Sequence, residues 1–412
     1  MPSLARHTLP TATVLLLTGL LNACGGGGIS SGAATASATA MPTTPAAPAP
    51  LTLAQVGDRL FEDTNLSASG KQACASCHVE ARGHADAANS FLPLGGPDGT
   101  HQGLRSSPSI RYLDQAGAFT IDAQGRARGG LFWDGRASSR AEQARGPLFN
   151  PDEMANADVA ALAVRLRALP YAADLRTAAN LPATATDDQL VDAAITALVR
   201  YQTDDAKFHP FTSKFDAVQD GSATFTPQEQ RGLDLFNDPQ RGNCASCHDS
   251  RPVPGQARAL FTNFSYHALG TPRNTSSATA TANPAFFDLG LCGPQRGDLA
   301  GRTELCGQFR VPTLRNVALT APYFHNASFA TLEDVVAFYA TRDLDPARWY
   351  PVVNGQVQAY SDLPAAYRAN VERGAPFSRP GQAPALSAQD VSDVVAFLRT
   401  LSDGFTTGQP GS

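Results

Sequence analysis

The sequence predicts a mainly α fold in two similar halves joined by long loops, and three observations predict it. The pentapeptide Cys74-Ala75-Ser76-Cys77-His78 recurs letter for letter at Cys244-Ala245-Ser246-Cys247-His248. Related strings precede the two copies, Gly57-Asp58-Arg59-Leu60-Phe61-Glu62-Asp63 and Gly232-Leu233-Asp234-Leu235-Phe236-Asn237-Asp238, and an apolar pattern of helical period follows each far downstream. No stretch of any length alternates apolar with polar residues as a half-buried strand does.

Each element has a local signal. Thr52 to Gln55 caps the helix before the first pentapeptide, and Thr226-Pro227-Gln228-Glu229 starts the one before the second. Val391, Val394, Val395, Leu398 and Leu401 keep helical spacing behind the cap Ser387, and Leu190, Ala194, Ala197, Leu198 and Tyr201 do so in the first half. C-x-x-C-H is the attachment signature of c-type haem: two thiols add to the vinyl groups and the adjacent imidazole ligates the iron. A zinc knuckle would want further Cys or His close by, and a redox dithiol would sit in a βαβ pattern; neither context is present. Two covalently bound haem c groups are therefore expected, on Cys74, Cys77 and His78 and on Cys244, Cys247 and His248. A helix, a haem motif and a late packing helix make the plan of a class I cytochrome c domain. Two such domains are expected, at 51–205 and 206–408.

Residues 1–23 carry Arg6 and His7 and then the apolar run Val14 to Leu21, too short to span a bilayer, which reads as a secretory signal. Leu21-Asn22-Ala23-Cys24 resembles a bacterial lipoprotein cleavage box, which implies a lipid on Cys24 and a periplasmic protein tethered by it. Residues 24–50 hold Gly, Ser, Ala, Thr and Pro without charge and form a linker. No later hydrophobic stretch is long enough to cross a membrane, so membrane attachment is expected through the N-terminal lipid only. The seven Cys divide into Cys24, the haem thiols, and Cys292 with Cys306, expected as a disulfide closing a Gly-rich loop in an oxidising compartment. The net charge is −5 and basic residues are dispersed, which argues against nucleic acid as a partner.

What a haem does depends on its sixth coordination position and the polar groups facing it. Between the pentapeptides lie Gly130-Leu131-Phe132-Trp133-Asp134-Gly135-Arg136-Ala137, then Gln143, then Gly146-Pro147-Leu148-Phe149-Asn150-Pro151-Asp152-Glu153-Met154. After the second come Val311-Pro312-Thr313-Leu314-Arg315-Asn316 and Thr320-Ala321-Pro322-Tyr323-Phe324-His325-Asn326. In this order of motifs, from about Leu51 to Leu401, the chain resembles the bacterial diheme cytochrome c peroxidases and their relative MauG.

The resemblance implies that the first haem, on His78, is the peroxidatic site and the second, on His248, the electron-transfer site. It implies that Trp133 relays electrons between them. It also implies that Glu153 is the distal carboxylate that takes a proton from one peroxide oxygen and delivers it to the other, with Gln143 and Pro147 lining the same pocket. Read directly, the second half offers no Met after Met154, so its sixth iron ligand is to be found among His209, His267, His325 and tyrosines. The family alignment places Tyr339 there, where MauG carries Tyr and the peroxidases Met. The resemblance also implies one calcium ion between the haems, held through the backbone of Thr320 and Pro322, with Ser106 standing where the family has Asn. A histidine after the first haem caps the iron in many of these enzymes, and His84 and His101 are the candidates here.

The functional expectation is an exported enzyme that reduces hydrogen peroxide at the first haem, in a MauG-like form whose His/Tyr second haem shares a high-valent state with the first. Its partner is then a small electron donor, cytochrome c or cupredoxin, or a protein substrate. The alternatives are a conventional peroxidase that detoxifies peroxide, and a non-enzymatic diheme electron carrier, against which Glu153 counts.

Overall fold

A computed structural model describes residues 49–86, 92–252, 255–377 and 381–406. The signal segment, Cys24, the linker as far as Pro48, and residues 407 and 408 lie outside the described residues. The principal helices are α1 (Leu53–Glu62), α2 (Arg140–Phe149), α3 (Val159–Ala168), α4 (Asp187–Asp204), α5 (Pro227–Asn237), α6 (Leu332–Thr341) and α7 (Ala388–Arg399). Reciprocal capping boxes start four of them: Thr52 with Gln55 on α1, Thr186 with Gln189 on α4, Thr226 with Glu229 on α5 and Ser387 with Asp390 on α7. An N-cap of this kind contributes about 1 kcal/mol. Named strands are two-residue antiparallel pairs, of which Tyr266–His267 against Phe309–Arg310 borders the second pentapeptide's cavity.

Helix α1 crosses α4 and helix α5 crosses α7, and a glycine at the same place in the two related strings permits each crossing. A Cβ on Gly57 would come 2.0 Å from the carbonyl oxygen of Ala197, and one on Gly232 would come 2.0 Å from that of Asp393. Around the first crossing Val56, Leu60, Phe61, Leu166, Leu198 and Phe208 form one buried cluster; around the second Phe236, Val336, Val394, Phe397 and Leu401 form another. The first cluster ends in sequence at Phe208 and the second begins at Phe215.

A polar seam joins them. Arg315, fully buried, makes paired hydrogen bonds to Asp216 at 2.9 and 3.0 Å and lies beneath the rings of Tyr112 and Phe211. Tyr112 donates to Asp403 at 2.7 Å, and Asn316 donates to the same carboxylate at 2.6 Å. Two-pronged charge-assisted bonds of this sort fix geometry as well as contribute energy. Among the described residues no helix is long and apolar enough to cross a membrane.

Alanine at Gly232 would gain helix propensity of about 1 kcal/mol, but the Cβ has no room beside Asp393. Gly232→Ala is therefore expected to lower the thermal midpoint, with overpacking costing roughly 1–3 kcal/mol or more. Circular dichroism melting checks it, and an unchanged or raised midpoint would show that the crossing is looser than described.

Candidate active site

The two pentapeptides present their imidazoles alike. His78 holds Nδ1 3.1 Å from the carbonyl oxygen of His84, and His248 holds Nδ1 3.0 Å from that of Phe261. A carbonyl only accepts, so Nδ1 carries the hydrogen in both rings and Nε2 keeps the lone pair, the state of an imidazole that can ligate a metal. Both acceptor residues have φ of 53°, left-handed backbone that costs a non-glycine residue about 1–3 kcal/mol. Burial lowers the affinity of both rings for a proton, that of His248 to a pKa of about 4. Burial also pushes the thiols of Cys74, Cys77 and Cys244 up to about 12. Yet both Cys pairs and both His keep part of their surface accessible, as the walls of an internal space do.

For the second pentapeptide that space is a cavity of about 430 Å³. Cys244, Cys247 and His248 form one part of its wall, and Tyr339 on α6, with Val335 and Val336, forms another. His267 and His325 line it too; His209 does not, lying 3.6 Å from Asp114. Both nitrogens of His267 are engaged, Nδ1 with Glu372 at 2.7 Å and Nε2 with Ser265 Oγ at 2.9 Å. His325 is stacked on Phe309 with ring centres 3.5 Å apart, and its Nε2 is 3.4 Å from Asp362. Tyr339 stacks on Phe377 at 5.3 Å. Burial, and then the nearby Cys247 and Cys244, raise its phenol well above the ordinary range.

Helix α2 carries two of the residues expected at the first site, and the turn that ends it carries a third, Glu153. Gln143 and Pro147 are four residues apart and share a helix face. Asn150 then organises the turn: its backbone carbonyl accepts from the Glu153 and Ala155 N–H groups, and its side chain accepts from the Asp152 N–H and donates to Glu153 Oε1 at 2.6 Å. The Glu153 carbonyl takes the Gly96 N–H at 2.7 Å. Burial raises the Glu153 carboxyl above its ordinary range, while Asn150 and the Arg136 charge pull the other way. Behind burial and nearer groups, the charge of Glu153 adds to the raised thiols of Cys74 and Cys77.

Trp133 is bonded to a segment, Ser106 to Ile110, that touches both sites. Its indole N–H donates to the Ser106 carbonyl at 2.9 Å, and it lines the second cavity with Ser106, Ser107 and Pro108. The same segment runs beside the loop after the first pentapeptide, with Ser109 Oγ donating to Gly83 and the Ile110 N–H to the His84 carbonyl that also receives His78. Cys292 and Cys306 are paired, with Cα atoms 5.0 Å apart.

Comparison with known proteins agrees with this geometry. The family described as di-haem cytochrome c peroxidase matches residues 52–224. The chain is 36% identical over 375 residues to the methylamine utilization protein MauG of Paracoccus denitrificans, covering 87% of this chain and 90% of that one. The chain belongs to the di-haem cytochrome c peroxidase and MauG family. A cytochrome c551 peroxidase of Nitrosomonas europaea is 31% identical over 287 residues, covering 69% and 71% of the two chains. Among solved structures, the diheme peroxidase BthA of Burkholderia thailandensis is 40% identical with a TM-score of 0.77, covering 85% of this chain and 86% of that one. The fold is thus the mainly helical diheme peroxidase fold, and the protein is an oxidoreductase of that kind.

The residues present fit the haem c that a di-haem family implies: a thiol pair, an imidazole that holds Nδ1 toward a carbonyl and leaves Nε2 its lone pair, and, at the second site, an apolar cavity lined by His248 and Tyr339. They do not fit the calcium ion in the same way. Ser106 Oγ donates its hydrogen to the Phe324 carbonyl at 2.8 Å, and the Arg82 guanidinium donates to the carbonyl of Ala321, between Thr320 and Pro322, at 2.5 Å. A fixed cation already stands at that segment.

The two candidate capping histidines are separated by their surroundings. His84 is buried beside the His78 imidazole's hydrogen-bonded edge, stacked on Phe208 at 4.3 Å with Arg111 donating to its Nδ1 at 3.0 Å. His101 is exposed and paired with Asp152 at 3.2 Å. Sequence reasoning passed over Asn150 and Arg136. The N-P-x-E spacing could have shown the first as a turn former; nothing local shows what Arg136 faces.

Exhaustive dialysis against a calcium chelator is expected to leave the visible and paramagnetic resonance spectra of the purified enzyme unchanged. Spectra that alter on chelation and recover with added calcium would restore the metal site.

Proposed function

We propose that this chain is an exported di-haem peroxidase that reduces hydrogen peroxide at the site of Cys74, Cys77 and His78, with electrons passed through the site of Cys244, Cys247 and His248 and through Trp133. Each site carries a covalent haem c in its own cytochrome c-like domain, 51–205 and 206–408. The observation that carries the reading is Glu153, partly buried, held by Asn150 and close enough for its charge to raise the Cys74 and Cys77 thiols. The haem supplies the iron that binds peroxide and the store for electrons; the chain supplies the proton movement and the path. Glu153 takes the proton from one peroxide oxygen and returns it to the departing one, Asn150 keeps the carboxylate on station, and Gln143 and Pro147 shape the space. Trp133, fixed by its Ser106 bond, shortens the gap that an electron has to cross. The names of the peroxidase relatives support small cytochromes as donors, and a cupredoxin would serve equally. The signal and Cys24 support a periplasmic protein tethered by lipid.

Within the family we read the chain as the MauG-like form, with Tyr339 as sixth ligand of the second iron. Tyr339 shares a cavity with His248, and among the described residues no hydrogen bond of its hydroxyl is found, whereas His267 is engaged at both nitrogens and His325 is stacked against Phe309. A phenolate favours oxidised iron, which suits withdrawal of electrons from a protein substrate better than acceptance from a donor. With Met or His in its place the chain would be a conventional peroxidase.

Glu153→Gln is expected to retain two haems by pyridine haemochrome while slowing peroxide turnover roughly a hundredfold to ten-thousandfold, the range of a general acid-base group. Undiminished turnover would reduce Glu153 to a structural residue. Because burial raises its carboxyl, the acid limb of kcat/KM in the wild type should lie above the ordinary carboxylate range, activity falling as pH falls through it. Tyr339→Phe should abolish the low-spin paramagnetic resonance signal of the second haem. Its survival unchanged would remove the MauG-like assignment and leave the peroxidase.

A further inference from the structure

The segment from Glu372 to Phe377 also walls the second cavity, and the proposed function leaves it unused. It is held along its length. The Glu372 N–H donates to the Ala268 carbonyl at 3.0 Å, and the Glu372 carboxylate takes the Nδ1 hydrogen of His267 at 2.7 Å. The Asn243 side chain, one residue before Cys244, donates to the Ala375 carbonyl at 3.0 Å. The Phe377 N–H closes a turn on the Gly374 carbonyl at 2.9 Å.

Phe377 is buried and brings its ring against two residues at the end of α6. It stacks on Tyr339 with ring centres 5.3 Å and planes 27° apart, and the Arg342 guanidinium lies over it, 3.5 Å from its centre. Tyr339 and the helix-capping Arg342 are three residues apart, the spacing of neighbours on a helix face. Arg342 is itself fully buried and fixed: it donates to the two oxygens of Asp343 at 2.9 and 2.7 Å, to the Leu269 carbonyl at 2.8 Å and to the Glu372 carbonyl at 2.6 Å. The guanidinium thus grips the segment at both ends, by a hydrogen bond at Glu372 and by its flat face at Phe377.

A tyrosine on a helix has more than one rotamer, and a single direction is kept only where packing pays the lost freedom. Phe324 and Phe338 touch the Tyr339 ring at 6.2 and 6.3 Å, so Phe377 is the nearer ring and the one stacked on it. We propose that Phe377 is a positioning residue for the second site. Seated by Arg342, it holds the Tyr339 ring against the cavity shared with His248, so that the phenol, and not an imidazole, takes the sixth position on the iron. The inference rests on Tyr339 being that ligand. One segment then acts twice, since Glu372 engages His267 while Phe377 presents Tyr339.

The test is competition for the sixth position by added imidazole in the haem-loaded enzyme, with the two haems of every variant counted. The readout is the imidazole concentration at which half of the second haem has taken it up, followed by paramagnetic resonance. In Phe377→Leu that concentration should fall roughly threefold to tenfold, the scale of one lost aromatic pair. In a Tyr339→Phe background the same substitution should change it no further, because the ring that Phe377 steadies has lost its ligand atom. An equal fall in both backgrounds would overturn the proposal, since Phe377 would then only fill room that imidazole needs. If Phe377→Leu changes nothing while Tyr339→Phe removes the low-spin signal, the proposal fails and the ligand stands. If Tyr339→Phe leaves that signal in place, the ligand reading fails and this inference falls with it. Should Phe377→Leu not retain both haems, Phe377→Met, which fills the space without a ring, replaces it with the same expectation.

Discussion

A carboxylate without accessible surface lies between the two sites. Asp134 is fully buried and accepts from Arg105 and Arg136 at once. An unpaired charge in such a place costs several kcal/mol, and removing one partner of a buried pair typically costs 3–5 kcal/mol, so the positions of both guanidinium groups are tightly set by it. Arg105 precedes Ser106, whose carbonyl holds the Trp133 indole, and Arg136 lines a pocket with Asn150 of the turn that carries Glu153. Arg105 also reaches Asp288, where, against the burial that would raise it, the guanidinium holds the carboxyl below its usual range. One buried anion thus fixes Arg105 beside the Ser106–Trp133 bond, Arg136 beside Phe132, and the approach of the segment leading to the disulfide loop.

The two sites are coupled by backbone as much as by side chains. The Ser106 to Ile110 segment gives a wall to the second cavity and at the same time runs along the loop that fixes His78. On the far side of that loop, Arg111 donates to His84 and lies 3.5 Å from Asp403, which also accepts from Tyr112 and Asn316. A shift of His78 along its hydrogen bond would therefore be resisted from the C-terminal segment after α7. Such a frame keeps the distance between sites constant while charge moves, which suits electron transfer better than a flexible joint would.

Much of this was legible in the sequence where the signal is local. The capping boxes at Thr52, Thr226 and Ser387 form as their spacing requires, and the apolar faces of α4 and α7 are buried as their period indicates. The glycines at Gly57 and Gly232 were visible as matched letters, but the reason for them, a helix axis pressed against a carbonyl, belongs to a partner helix far along the chain. The candidates for the second iron were narrowed by composition, since no Met follows Met154. Composition could not show that His267 is committed to Glu372 and Ser265. His84 and His101 illustrate the same limit, for both follow the first pentapeptide and only tertiary packing puts one beside His78's hydrogen bond and the other at the surface.

The likeness of the two pentapeptides' settings is deeper in the backbone than in the letters. His84 and Phe261 share no chemistry as side chains, and they follow their pentapeptides at different distances, 6 and 13 residues beyond the histidine. Both nevertheless adopt φ of 53° and offer a carbonyl to the imidazole Nδ1. Left-handed backbone in non-glycine residues persists only where the surroundings over-determine it. A carbonyl acceptor fixes the tautomer and orients the ring without adding a negative charge, which a carboxylate in the same place would do. The two halves therefore present matched imidazoles. What differs between them, on the function proposed, is what each site is given to work with: the Glu153 carboxylate held by Asn150 at the first, and an apolar cavity lined by Tyr339 at the second. The division of labour between the halves is written in those residues rather than in the repeated pentapeptide.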